Sequence, residues 1–195
     1  MTSRAGAQPV LAAAALAAAF AWGVAEAVWL FVVADVLLSF IALRLGLRTA
    51  LAASLAAALG AACGGFWLAS MAAADPARAF ALLASVPFVT PGLVEHGLAV
   101  MASPSWPLGM LAGSVTGLPY KIFAVGAGEQ AIAPVLFSFV SLAVRLPRFA
   151  LASAATALAA RLIGSRLGDR GKLALLAAFW IIFYGQFWLR MTMKG

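Results

Sequence analysis

Gly117-Leu118-Pro119-Tyr120-Lys121-Ile122-Phe123-Ala124-Val125-Gly126-Ala127-Gly128 stands inside residues 97–144, an apolar run too long for one straight membrane helix. Proline removes a helical hydrogen bond and glycine loosens the backbone, so the run should break near 117–121. Gly117, Pro119, Gly126 and Gly128 are the expected break residues, with Lys121 carrying a charge into the interruption.

A second run, 9–43, poses the same problem without such punctuation. Its 35 residues would extend about 52 Å as one helix, against a hydrocarbon core of about 30 Å. It also carries Glu26 and Asp35. At 100° per residue their spacing puts them on opposite helix faces, and one carboxylate would meet lipid. A break between them removes both difficulties. The segment then becomes two half-helices of a re-entrant hairpin, its irregular backbone buried against protein.

Composition sets the class. Apolar residues make up 65% of the 195 and charged residues 10%, against roughly 45–50% and 25% in soluble domains. Mean hydropathy is +1.06. An all-α integral membrane protein follows. The net charge of +7 is dispersed among apolar segments, with no basic stripe or stacking platform that would take nucleic acid. The bases read instead as membrane-flanking residues. The single cysteine, Cys63, leaves no internal disulfide and no cysteine metal cluster, and reads as a small packing residue. Arg4 before the alanine-rich 10–21 resembles a signal peptide, but the hydrophobicity continues to Leu43, so the segment is expected to be retained.

Seven apolar stretches, 9–43, 49–74, 79–94, 97–120, 122–144, 149–160 and 173–189, organise a single multi-pass membrane domain over 1–195. Residues 9–74 form a first half of hairpin plus helix, and 105–168 a second, hairpin 105–144 with helix 149–168. A connector, 75–104, joins them, and 169–195 adds a C-terminal helix. Two interrupted segments in corresponding halves point to a transporter site at a repeat interface. Arg44, Arg48, Arg161, Arg166, Arg170 and Lys172 share one face if the halves are inverted, as the positive-inside rule asks; Arg4 joins them, while Arg190 and Lys194 agree less well. Trp22, Trp29, Trp67, Trp106, Trp180 and Trp188 stand mostly near expected ends and suit interfacial belts.

Six charges fall inside the spans: Glu26, Asp35, Lys121, Glu129, Arg145 and Arg148. Each costs about 2.5–3.5 kcal/mol at the bilayer centre, so they should face a bundle interior or water cavity. Arg145 and Arg148, three apart, share a helix face and can clamp a phosphate through forked, charge-assisted hydrogen bonds. Membrane-face anchoring is the bland alternative. Glu26 and Asp35 are either structural partners of the bases or proton-coupling groups that alternate between a proton and an arginine. Glu129 is expected to cap a half-helix or to pair with Lys121. His96, beside Glu95, reads as a headgroup-level residue. One histidine and no clustered acids predict no metal site, and no cofactor motif is present: Gly126-x-Gly128 follows no strand.

These residues carry a resemblance. The stretch 117–128 is similar to the proline-lysine-to-Ala-Gly segment of the DedA superfamily (VTT-domain proteins), closest to the YqaA-like branch. Ser141-Leu142-Ala143-Val144-Arg145-Leu146-Pro147-Arg148-Phe149 resembles the family's Ser-x-x-x-Arg-x-x-Arg-Phe element. Glu26-Ala27 with Asp35-Val36-Leu37-Leu38 resembles its first hairpin, although Leu30-Phe31-Val32-Val33-Ala34 stands where the family usually has prolines. The resemblance implies two inverted re-entrant helical hairpins packed with transmembrane helices in the cell inner (plasma) membrane. It also implies a flippase or scramblase that moves phospholipid or polyprenyl-phosphate headgroups, coupled to protons in bacterial members, with no enzymatic chemistry. Membrane lipids are the expected partners. A non-transporting accessory protein, a lipid-phosphate-processing enzyme and a homo-oligomer all stay open at this stage.

Overall fold

A computed structural model describes residues 3–192 of the chain, with side chains described for 8–186 and Leu189. The side chains of Arg4, Trp188, Arg190 and Lys194 lie outside the described set. Among the described residues there are nine helices and no strand: α1 Ser3–Val28, α2 Asp35–Leu45, α3 Leu47–Ala74, α4 Pro76–Ala84, α5 Pro91–Ala102, α6 Trp106–Thr116, α7 Tyr120–Glu129, α8 Pro134–Ile163 and α9 Asp169–Thr192. Three of them, Gln8–Val28 of α1, Leu47–Ala74 and Pro134–Ile163, are long and apolar enough to cross a membrane. Their outer faces expose large apolar side chains such as Leu55, Leu59, Phe139 and Leu151, as lipid-facing surfaces require.

Helix α3 is the axis. Its buried face is a ladder of Ala50, Ala53, Ala57, Ala61, Gly64, Leu68 and Ala72 at three- and four-residue spacing. Small residues there let neighbouring backbones close in, which is how helices associate where lipid removes the hydrophobic drive. A Cβ on Gly60 would strike the Phe20 carbonyl, and one on Gly64 would strike Ala27. Contacts therefore climb α1 and α3 in the same order, and the 11-residue α2, which joins them in the chain, packs chiefly on α8 and α3. Helix α8 runs against α3: Ser138 Oγ donates to the Ala62 carbonyl (3.2 Å), while Ser54 Oγ bonds Ser153 Oγ (2.9 Å). Helix α7 runs with α3, from Tyr120 beside Gly65 to Gly128 beside Ala69.

Both expected interruptions are present. Residues 29–34 separate α1 from α2, and 117–119 separate α6 from α7, where Gly117 takes φ 87° as the left-handed C-cap of α6. Pro76, Pro91 and Pro134 open their helices in the first turn, where the missing N–H costs nothing, and Asp75 and Thr90 cap α4 and α5.

Several boundaries differ from the reading of the sequence. Helix α1 starts at Ser3, ahead of the apolar run expected from residue 9, and carries Pro9 inside it. Gly126 and Gly128 are not break residues. They lie inside α7, where a Cβ on Gly128 would strike the Ala69 carbonyl and one on Gly126 would crowd Met101, so their smallness serves close packing. The run 122–144 is instead divided at 130–133, with Ala131 at φ 52°. The second long helix then starts at Pro134, not at 149, and continues through Pro147. Cys63 is exposed on α3 and is no interior packing residue.

Candidate functional site

The two interruptions meet. Lys121, the second residue of α7 and 2% exposed, donates from Nζ to the Leu30 carbonyl at 3.0 Å. Around that contact a cavity of about 320 Å³ opens between α1, α2, α6, α7, α8 and α9. Its wall contains Glu26, Asp35, Lys121, Arg145 and Arg148. Five of the six charges expected to face inward thus line one space. Glu129, at the exposed end of α7, does not join them, and Lys121 turns to a carbonyl instead of to it.

The acids come from the first half and the bases from the second. Arg145 Nη2 donates to Glu26 Oε1 at 2.5 Å and Arg148 Nη2 to Asp35 Oδ2 at 2.6 Å. Burial makes these pairs matter, since screening by water is weak there. Arg145 is also clasped by rings, its Cζ 4.4 Å from the Tyr120 centroid and 5.0 Å from that of Phe149. Such cation–π contacts gain strength when desolvated. Tyr120 is itself pinned, for its hydroxyl accepts from Ser141 Oγ at 2.7 Å. Arg148 is more open and sends its other terminal nitrogen, Nη1, to the Ser114 carbonyl (2.9 Å). Three polar atoms of the cluster are buried without a hydrogen-bond partner: Asp35 Oδ1, Arg145 Nε and Arg148 Nε.

The break at 29–34 owes its shape to side chains. Glu26 Oε2 accepts from the Ala34 N–H (2.9 Å), Trp22 Nε1 donates to the Val32 carbonyl (3.0 Å), and the Tyr184 hydroxyl accepts from the Val33 N–H (2.9 Å). With Lys121 on Leu30, side chains from three helices hold four backbone groups that no helix satisfies. Buried backbone polar groups must find partners somewhere, and here the partners are remote.

Trp22, Tyr120, Tyr184 and Ser114 join the site beyond what the sequence motifs indicate. A weak signal was available, since aromatic residues with a polar handle inside an apolar run usually seek a bond. Trp22 and Trp180 also depart from the belt expectation: Trp22 holds the break, and Trp180 Nε1 donates to Ser39 Oγ (2.9 Å). Trp29 and Trp67 do stand half-exposed. His96 is exposed on α5 and does not line the cavity. The chain matches no family model, no curated protein and no solved structure.

Proposed function

We propose that this chain is a lipid transporter of the DedA/VTT kind, a flippase or scramblase that carries phosphate headgroups across the inner membrane without changing a covalent bond. The observation that carries the reading is the single cavity where two arginines, a lysine and two carboxylates from opposite halves converge. Arginine pairs with this spacing match the oxygens of a phosphate, and Lys121 adds a point charge at the meeting of the breaks. Re-entrant hairpins are part of the proposal. The tip of α1–α2 and the tip of α6–α7 both reach α3 near Gly64 and Gly65, inside its 28 residues and more than two turns from either end. Such tips stop at membrane depth if α3 crosses.

The chemistry of the cycle follows from competition. A phosphate that takes Arg145 or Arg148 leaves Glu26 or Asp35 without its cation. An unpaired carboxylate in apolar surroundings is costly, and a proton removes that cost. Headgroup binding and protonation are then linked without a separate proton channel.

Reconstitution into liposomes with fluorescent phospholipid and with polyprenyl phosphate, with and without a pH gradient, tests the reading. Leaflet exchange should exceed that of empty liposomes and should fall in Arg145→Lys and Arg148→Lys, which keep charge and lose the planar fork. Glu26→Gln or Asp35→Asn should flatten the pH dependence. Exchange no faster than in protein-free liposomes overturns transport, and leaves an accessory role.

A further inference from the structure

We propose that the cavity selects a singly charged phosphodiester headgroup over a doubly charged phosphomonoester. The inference rests on the headgroup reading above and narrows its cargo.

It starts from the departure of Glu129. The six charges inside the spans balance as a set, but the five that line the cavity do not: two carboxylates face three cations, leaving one positive charge in excess. The pairing shows where that excess sits. Arg145 is matched by Glu26 and Arg148 by Asp35. Lys121 has a carbonyl for a partner, which supplies a dipole and no charge.

The other elements add no compensating charge. Helix α6 contributes Ser114 and Thr116, α7 adds the hydroxyl of Tyr120, and α9 that of Tyr184. None is ionised near neutral pH at its ordinary value. Helix α3 does not line the cavity.

Net charge among largely buried, poorly screened side chains is expensive, and the cost is lowest when site and ligand together sum to zero. A phosphodiester carries one negative charge and cancels the excess on Lys121 at entry, before it competes with a carboxylate for either arginine. A phosphomonoester carries about −1.5 to −2 at neutral pH, so it overshoots. It enters on the same terms only with an added proton, on its own oxygen or on Glu26 or Asp35. The unpartnered Nε atoms of Arg145 and Arg148 and the unpartnered Oδ1 of Asp35 mark a cluster whose bonds are not all made. Such a cluster can re-pair around a ligand of the right charge.

The test compares two lipids that differ by one methyl cap. Dihexanoyl phosphatidylmethanol is a monoanionic diester, and dihexanoyl phosphatidic acid at pH 7 is a monoester of about −1.5 to −2 with the same chains. Calorimetric titration of each into the full-length protein in uncharged detergent should give at least tenfold tighter binding of the diester. In Lys121→Gln, where carboxylates and cations balance, the preference should vanish and diester affinity should fall tenfold or more. In Asp35→Asn, where the excess rises to two, preference should turn to the monoester. If Asp35→Asn does not stay monodisperse, the Lys121→Gln ratio decides alone. Equal affinities or a tighter monoester in the wild type, or an unchanged ratio in Lys121→Gln, overturns charge selection while leaving the cargo reading in place. A monodisperse wild type that binds neither lipid overturns the cargo reading itself.

Discussion

The two interruptions, 29–34 and 117–119, do the same geometric job with different materials. The second is written in its own residues: Gly117 adopts a left-handed backbone and Pro119 ends the hydrogen-bond ladder. The first contains neither glycine nor proline. It is shaped from outside, by Trp22, Glu26, Lys121 and Tyr184, whose sequence separations from the groups they hold run from 8 to 151 residues. One break is therefore local and portable, and the other exists only when the bundle is assembled. A further asymmetry follows. Glu26 serves the break with one oxygen and Arg145 with the other, so the first interruption and the charged cluster share an atom group.

Truncating Glu26 should separate the two breaks most sharply. Glu26→Ala leaves Arg145 buried without its anion and frees the Ala34 N–H, a loss of about 3–5 kcal/mol for a broken buried pair. Unfolding in detergent should show it, while Pro119→Ala should cost far less; equal losses would dissolve the contrast. Next, Trp22→Phe keeps the ring bulk and removes the donor to Val32, stranding a carbonyl at about 1–3 kcal/mol. Hydrogen exchange should then rise at 30–34 and stay unchanged at 117–119. Gly117→Val attacks the local break in its own terms, costing about 1–2 kcal/mol for a side chain forced into the left-handed region. Here the exchange pattern should reverse. The smallest effect belongs to Tyr184→Phe, which removes one bond to Val33 from the less buried α9, about 0.5–1.5 kcal/mol. A larger loss would make α9 an equal partner in holding the break.

The same contrast explains what the sequence discloses. Charges in apolar runs are legible because their cost is high anywhere in a membrane, so Glu26, Asp35, Lys121, Arg145 and Arg148 could be named before their partners were known. The break at 117–119 is legible from residue type. That at 29–34 is legible only by elimination, from length and from opposed carboxylates, and its four side-chain contacts have no local signature.

Gly126 and Gly128 illustrate the opposite difficulty. A glycine that bends a chain and a glycine that admits a neighbouring backbone read alike, and only the approach of Ala69 and Met101 separates them. Pro134 announces a helix start, whereas Arg145 and Arg148 interrupt the apolar run without interrupting the helix, which continues through them and Pro147. Glu129 counts among the six charges because it falls inside an apolar run, yet α7 ends just there, in the open.

The pairing of Glu26 with Arg145 also has a history in time. The two residues are 119 apart in the chain, and a ribosome adds about 5–20 residues per second. For about 6–24 s after Glu26 is made, the arginine that will face it has not yet been synthesised. Lys121, from which the first break takes one of its bonds, is likewise still to come. The first half must therefore wait in or beside the membrane with an unmatched acid and an unclosed backbone. Its passage into the bilayer depends on what shelters it during those seconds: a proton, interfacial water, or the insertion machinery.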